Sequence, residues 1–133
     1  MKIYLVFLVI VAVALSSTVP LVHAQNYGDV SSSLQNGTWA VHVNKQVQIT
    51  ADITNGINRN LPFAYIVQVL DHNGVVIQLS WLTGTLSVGQ SLNPSQSWTP
   101  TTPGNYTAQI FVWSGIDNPD ALSPPLAMKI AVT

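Results

Sequence analysis

The stretch QVQITADIT, residues 46–54, alternates without a break. Val47, Ile49, Ala51 and Ile53 are apolar, and Gln46, Gln48, Thr50, Asp52 and Thr54 between them are polar. Successive side chains of a strand point to opposite faces, so this pattern buries one face and wets the other. The same period returns along the chain. TWAVHV (38–43) sets Trp39, Val41 and Val43 in phase, and FAYIVQVL (63–70) does so with Phe63, Tyr65, Val67 and Val69. VVIQLSWL (75–82) aligns Val75, Ile77, Leu79 and Trp81, which predicts those four as its core face. Residues 106–113 align Tyr106, Ala108, Ile110 and Val112, and LAMKIAVT (126–133) aligns Leu126, Met128, Ile130 and Val132. QSWTP is a short strand stopped by Pro100, and the loop TGTLSVGQSLNPS before it holds one more. No helical period follows residue 24, so the expected fold is all-β with about seven strands.

The connections carry their own chemistry. DHNG (71–74) predicts a hairpin turn, with Asp71 at its first position and Gly74 where a positive φ is required. PGNYTAQIFV (103–112) runs from a turn straight into a strand that opens on Tyr106. That arrangement resembles the approach to the penultimate strand of an immunoglobulin-like or fibronectin-III-like sandwich. There, a tyrosine tucks under the preceding turn and bonds its hydroxyl back to the backbone. The order of ITN, YIVQV.D.NG and PG.Y.A.IFVW is also similar to single-domain β-sandwich proteins exported by archaea. The resemblance implies an extracellular β-sandwich and carries over no site residue. The expected fold is therefore a single immunoglobulin-like antiparallel β-sandwich, which the N-terminal residues precede with a signal helix. The cysteine pair of true immunoglobulin domains is missing, because the chain has no cysteine.

The first 24 residues read as a separate unit. Lys2 precedes an apolar run from Ile3 to Leu15, and Val22-His23-Ala24 fits a cleavage site with small residues. This is the pattern of a secretory signal peptide. An uncleaved anchor is the competing reading, since Ile3 to Val22 reaches the roughly 20 residues that span a bilayer. Ser16, Ser17, Thr18 and Pro20 weigh against it. The expected organisation is a signal peptide or anchor over 1–24, a polar arm over 25–37 and the sandwich over 38–133. Both readings export the rest of the chain, to a secreted or cell-surface location, and the membrane is touched only through an uncleaved N-terminal segment.

Composition narrows the function. Charged residues make up 7% of the chain, against about a quarter in an ordinary domain. Beyond residue 24, Lys45, Arg59 and Lys129 face Asp29, Asp52, Asp71, Asp117 and Asp120, a net charge of −2 with no glutamate. There is no basic patch for nucleic acid. With no cysteine, thiolate metal sites and cysteine nucleophiles are excluded. Asp71-His72 reads as a turn acid beside an exposed histidine, and no serine sits in a nucleophile elbow, so no catalytic residue is assigned. His42 and His72 lie on different elements, and Asp117-Asn118-Pro119-Asp120 reads as a turn, so no metal site and no cofactor are assigned. Asn36 and Asn105 head N-x-T sequons and are the glycosylation candidates.

The phase of residues 106–113 gives the sharpest functional lead. If Tyr106, Ala108, Ile110 and Val112 face the core, then Gln109, Phe111 and Trp113 face outward. Outward residues of the neighbouring hairpin would be Ile66, Gln68 and Leu70, then Val76, Gln78 and Ser80. Together, Trp113, Phe111, Gln109, Gln68 and Gln78 predict a flat, uncharged, partly apolar binding face. A cell-surface module that binds a protein partner, or its own copies, fits this best. A carbohydrate-binding module is one alternative, with glutamine amides for hydroxyls and Trp113 to stack on a ring. An envelope subunit of a membrane complex, or a metal-carrying protein, is another.

Overall fold

The computed structural model describes residues 29–34 and 38–133. Nine strands follow in order: β1 (Val30–Leu34), β2 (Thr38–Val41), β3 (Val47–Asn55), β4 (Leu61–Leu70), β5 (Val76–Leu86), β6 (Ser91–Leu92), β7 (Ser95–Trp98), β8 (Gly104–Trp113) and β9 (Leu126–Val132). No helix occurs among the described residues. The signal segment lies outside them.

The strands form two sheets. One has the order β1-β3-β6, with β7 also on β3, and the other runs β2-β9-β8-β4-β5. All neighbours are antiparallel except β2, which runs parallel to β9. This is the immunoglobulin-like sandwich. The alternation of β3 becomes burial: Val47, Ile49, Ala51 and Ile53 are buried, as are Ala108, Ile110 and Val112 of β8. Each of the valine and isoleucine side chains contributes about 1.5–3 kcal/mol on leaving water.

Nine strands stand where about seven were expected; the two short strands expected before Pro100 are β6 and β7, and β1 is the one not foreseen. Part of the segment read as a loose arm is β1, paired with β3 from Val30↔Asn55 to Leu34↔Ala51. Its sequence VSSSL has only two apolar residues, too few to show a period, although Val30 is buried. The stretch opposite β3 is split into β6 and β7 at Asn93-Pro94, because a proline has no N–H to donate. The Pro94 carbonyl still accepts the Ala51 N–H at 3.3 Å, which keeps the two pieces aligned.

Two tyrosines lock the layers together. The Tyr106 hydroxyl donates to the Thr102 carbonyl at 2.7 Å, closing the tyrosine corner that PGNY predicted. The Trp98 ring stands edge-on to it, with centroids 5.0 Å apart. Gly104 between them has φ +153°, a backbone setting that favours glycine. Tyr65 on β4 is fully buried and donates its hydroxyl across the core to the Ile49 carbonyl at 2.9 Å. Burial pushes its ionisation far up, so the phenol stays a neutral donor. At the far end of β3, the buried Asn55 amide donates to the carbonyls of Arg59, Leu86 and Ser87 and accepts the Ile57 N–H.

Candidate functional site

The site is built by the β4–β5 hairpin laid against β8. The turn forms as its residues dictate. Asp71 Oδ1 accepts the N–H groups of Asn73 and Val75, and the Asp71 N–H donates to the Val75 carbonyl at 2.9 Å. Gly74 takes φ +78°, the left-handed setting expected of it. Up to Leu70↔Val76 the pairing continues that register. Then it shifts, so that Val69 faces Gln78 and Ile77 is left over as a bulge.

That one extra residue decides the site. A register shift by one turns every later side chain to the other face. Without the bulge, Leu79 and Trp81 would point at the core with Val67 and Tyr65. With it, Leu79 pairs with Gln68 and Trp81 with Ile66, both on the outer face. The predicted core face of residues 75–82 is therefore corrected. Trp81 is 52% exposed and Leu79 54%. The inward places pass to Ser80 and Gln78. Ser80 Oγ is buried there without a protein partner, an arrangement that costs about 1–3 kcal/mol.

On the outer face, Ile66, Phe111, Trp113, Leu79 and Trp81 line a shallow depression of about 460 Å³, with Gln68 on its floor and Ile116 on its rim. The Phe111 and Trp113 rings lie 5.7 Å apart at 50°. Gln68 and Gln109 sit directly opposite each other, and the Gln68 amide donates to Gln109 Oε1. That bond ties the two amides together across the β4–β8 pair. No charged residue lines the depression. The segment after β8 bridges back through Trp113↔Ala121 and leaves Trp113 part-exposed.

Of the five residues predicted for this face, Trp113, Phe111, Gln109 and Gln68 come together. Gln78 does not. The bulge turns it to the opposite face, where its Nε2 donates to the Ser97 carbonyl of β7 at 2.9 Å. Trp81 and Leu79 are the site residues that periodicity missed.

The remaining candidates scatter. Asn36 lies outside the described residues. Asn105 is exposed at the start of β8, beyond the last residue that pairs with β4. His42 contacts Thr133 Oγ1 through Nδ1 at 3.1 Å, and His72 is exposed in the β4–β5 turn. They follow β2 and β4, which are three strand spacings apart in the sheet, about 14 Å at the usual spacing. They cannot share one ion. Among the described residues, no group of three or more His, Asp or Glu side chains could hold a metal.

The geometry can be set beside known proteins. A family model described as SlaA-like, S-layer A-like, matches residues 12–129. No curated protein matches the sequence. Among solved structures, the CARDB domain of a Pyrococcus furiosus protein, crystallised in complex with di-metal ions, has a TM-score of 0.60. It is 19% identical over 80% of this chain and 94% of that one. A solution structure of that domain gives 0.60 at 20% identity, over 81% and 97% of the two chains. A β-glucosidase from Listeria innocua in complex with isofagomine also reaches 0.60, at 9% identity over 77% of this chain, but over only 16% of its own. At such identities the likeness is one of fold.

Proposed function

We propose, since the chain belongs to the S-layer A-like family, that it is a surface-exported β-sandwich module that assembles with other protein copies through the outer face of its five-stranded sheet. In this reading, residues 1–24 direct export and the sandwich works by contact rather than catalysis. The family supports a place at the cell surface. The glycosidase likeness lends no chemistry, since it covers 16% of that enzyme and stops at the fold.

One observation carries the reading. Trp81, Leu79 and Ile116 stand in water beside the part-exposed Phe111 and Trp113, over the buried Ile66, as one apolar patch with no charge among them. Apolar patches of that kind mark interaction surfaces. The missing charge also removes the repulsion that keeps similar faces apart. Buried aromatics near the middle of a contact carry most of its binding energy. Trp81→Ala and Trp113→Ala should therefore weaken association at least about tenfold, measured by sedimentation of the exported protein across a concentration series. Unchanged association in both variants would overturn the reading. Binding of soluble oligosaccharides, lost in the same variants without any change in mass, would assign the face to carbohydrate instead.

A further inference from the structure

The long edge strand of the same sheet carries the inference further. β5 spans 11 residues, VIQLSWLTGTL, without a charge or a proline. Among the described strands it has one ladder partner, β4. Long, uncharged edges invite pairing, and proteins ordinarily blunt them with charge, proline, brevity or a bulge. The Ile77 bulge lies near the start of β5 and leaves Gln78 to Leu86 regular. The other edges here are blunted. β1 has 5 residues and β2 has 4, and the edge opposite β1 is broken at Pro94 between β6 and β7.

The hydrogen-bond pattern of the sheet shows which backbone groups β5 leaves free. The Val112 carbonyl accepts the Leu122 N–H at 2.8 Å, so even-numbered residues of β8 bond away from β4. Alternation then gives the odd-numbered residues of β8 to β4. Their partners there are even-numbered, as in Gln68↔Gln109, so the odd-numbered residues of β4 bond β5. In the register Val67↔Ser80 and Tyr65↔Leu82, it is the even-numbered residues of β5 that are bonded. Leu79, Trp81, Thr83 and Thr85 therefore point their N–H and C=O groups off the sheet.

We propose that this edge pairs antiparallel with β5 of a second copy, joining two five-stranded sheets across a two-fold axis at Trp81. The inference rests on the assembly reading above and names its partner and geometry. A second copy is the occupant because the strand suits itself. Trp81 is the midpoint of β5, so pairing centred there overlaps the regular stretch from Gln78 to Gly84, with Leu79 opposite Thr83 of the copy. No like charges meet, as neither strand carries any. The bulge places Leu79 and Trp81 on the outer face, so pairing sets two apolar patches side by side as one. Edge pairing alone falls short of the roughly 1,200–2,000 Å² of a stable interface. The contact is therefore weak between single modules and gains strength when many are held in an array.

Thr83→Pro removes an N–H that the sheet does not use, whereas Thr83→Ala keeps it. Sedimentation of the exported protein should show Thr83→Pro weakening self-association at least about tenfold, with Thr83→Ala unchanged and both retaining β-type circular dichroism. Equal association in Thr83→Pro and the parent overturns edge pairing. If Trp113→Ala still weakens association in that case, the outer-face reading stands alone. A parent that stays monomeric even at the highest concentration of the series also overturns edge pairing. A second variant keeps the test decisive should the proline disturb folding. Leu79→Cys with Thr83→Cys places thiols opposite each other at the about 5.5 Å Cα separation of a bonded pair. The natural chain has no cysteine to interfere. The double variant should form covalent dimers in air and Leu79→Cys alone should not. Failure of the double variant to cross-link overturns the proposal.

Discussion

β8 and β5 flank β4 on its two sides, have 10 and 11 residues, and use their side chains in opposite ways. β8 lies between two strands and keeps one phase from Tyr106 to Val112, so its apolar set is buried. Among the described strands β5 has one neighbour, and it breaks phase at Ile77, so Leu79 and Trp81 stand in water while Ser80 turns inward. Packing energy alone would favour the reverse. A buried hydroxyl without a partner and an exposed indole both oppose stability. Local conflicts of this kind concentrate where a protein does its work. In this molecule β8 builds the core, and β5, with one ladder partner among the described strands, holds Leu79 and Trp81 in water, as the proposed contact surface requires.

The contrast breaks most visibly at Ile110. It is fully buried at the centre of β8. Ile110→Ala should remove about 2–5 kcal/mol of stability, the usual cost of a buried aliphatic plus the cavity it leaves. Chemical denaturation followed by tryptophan fluorescence measures it. A loss under about 1 kcal/mol would mean that β8 is not the packed centre of the fold.

How far such assignments could be read from sequence depends on what each one rests upon. β3, β4, β8 and β9 were legible because each carries a full set of apolar residues in one phase and each has neighbours that agree. The tyrosine corner was legible because a turn, a tyrosine and a strand follow each other within a few residues. The candidate face was half legible. Phe111 and Trp113 follow from the phase of β8, and Gln68 and Gln109 from their places between buried neighbours. Trp81 and Leu79 did not follow, because VVIQLSWL holds a clean period across Ile77 and nothing local marks the extra residue. A bulge belongs to the pairing of two strands, and a single sequence shows only one strand at a time. The same limit hid β1, whose strand character comes from β3 beside it.

A smaller effect is expected at the corner. Tyr106→Phe keeps the ring against Trp98 and removes only the bond to the Thr102 carbonyl. Thr102 is exposed, so water can replace the lost donor and the cost should stay near about 1 kcal/mol. No shift in the unfolding midpoint would show that the corner is held by the ring alone.

The smallest change in stability should come from the largest exposed side chain. Trp81→Ala would cost several kcal/mol if Trp81 were a core residue, since Trp→Ala in a core removes about 3–5 kcal/mol. On the outer face, half its surface is already in water. The unfolded chain also buries part of its apolar surface, so the covered half of the ring gains less on folding than its cover in the sheet implies. The loss should therefore stay below about 1 kcal/mol, in line with other surface sites. Measured beside Ile110→Ala, this separates the two strands directly. Near-equal losses would restore the unbroken phase across Ile77 and return Trp81 to the core. A small loss at Trp81, with association weakened in the same variant, would establish that the bulge gives up core packing to hold an indole at the contact face.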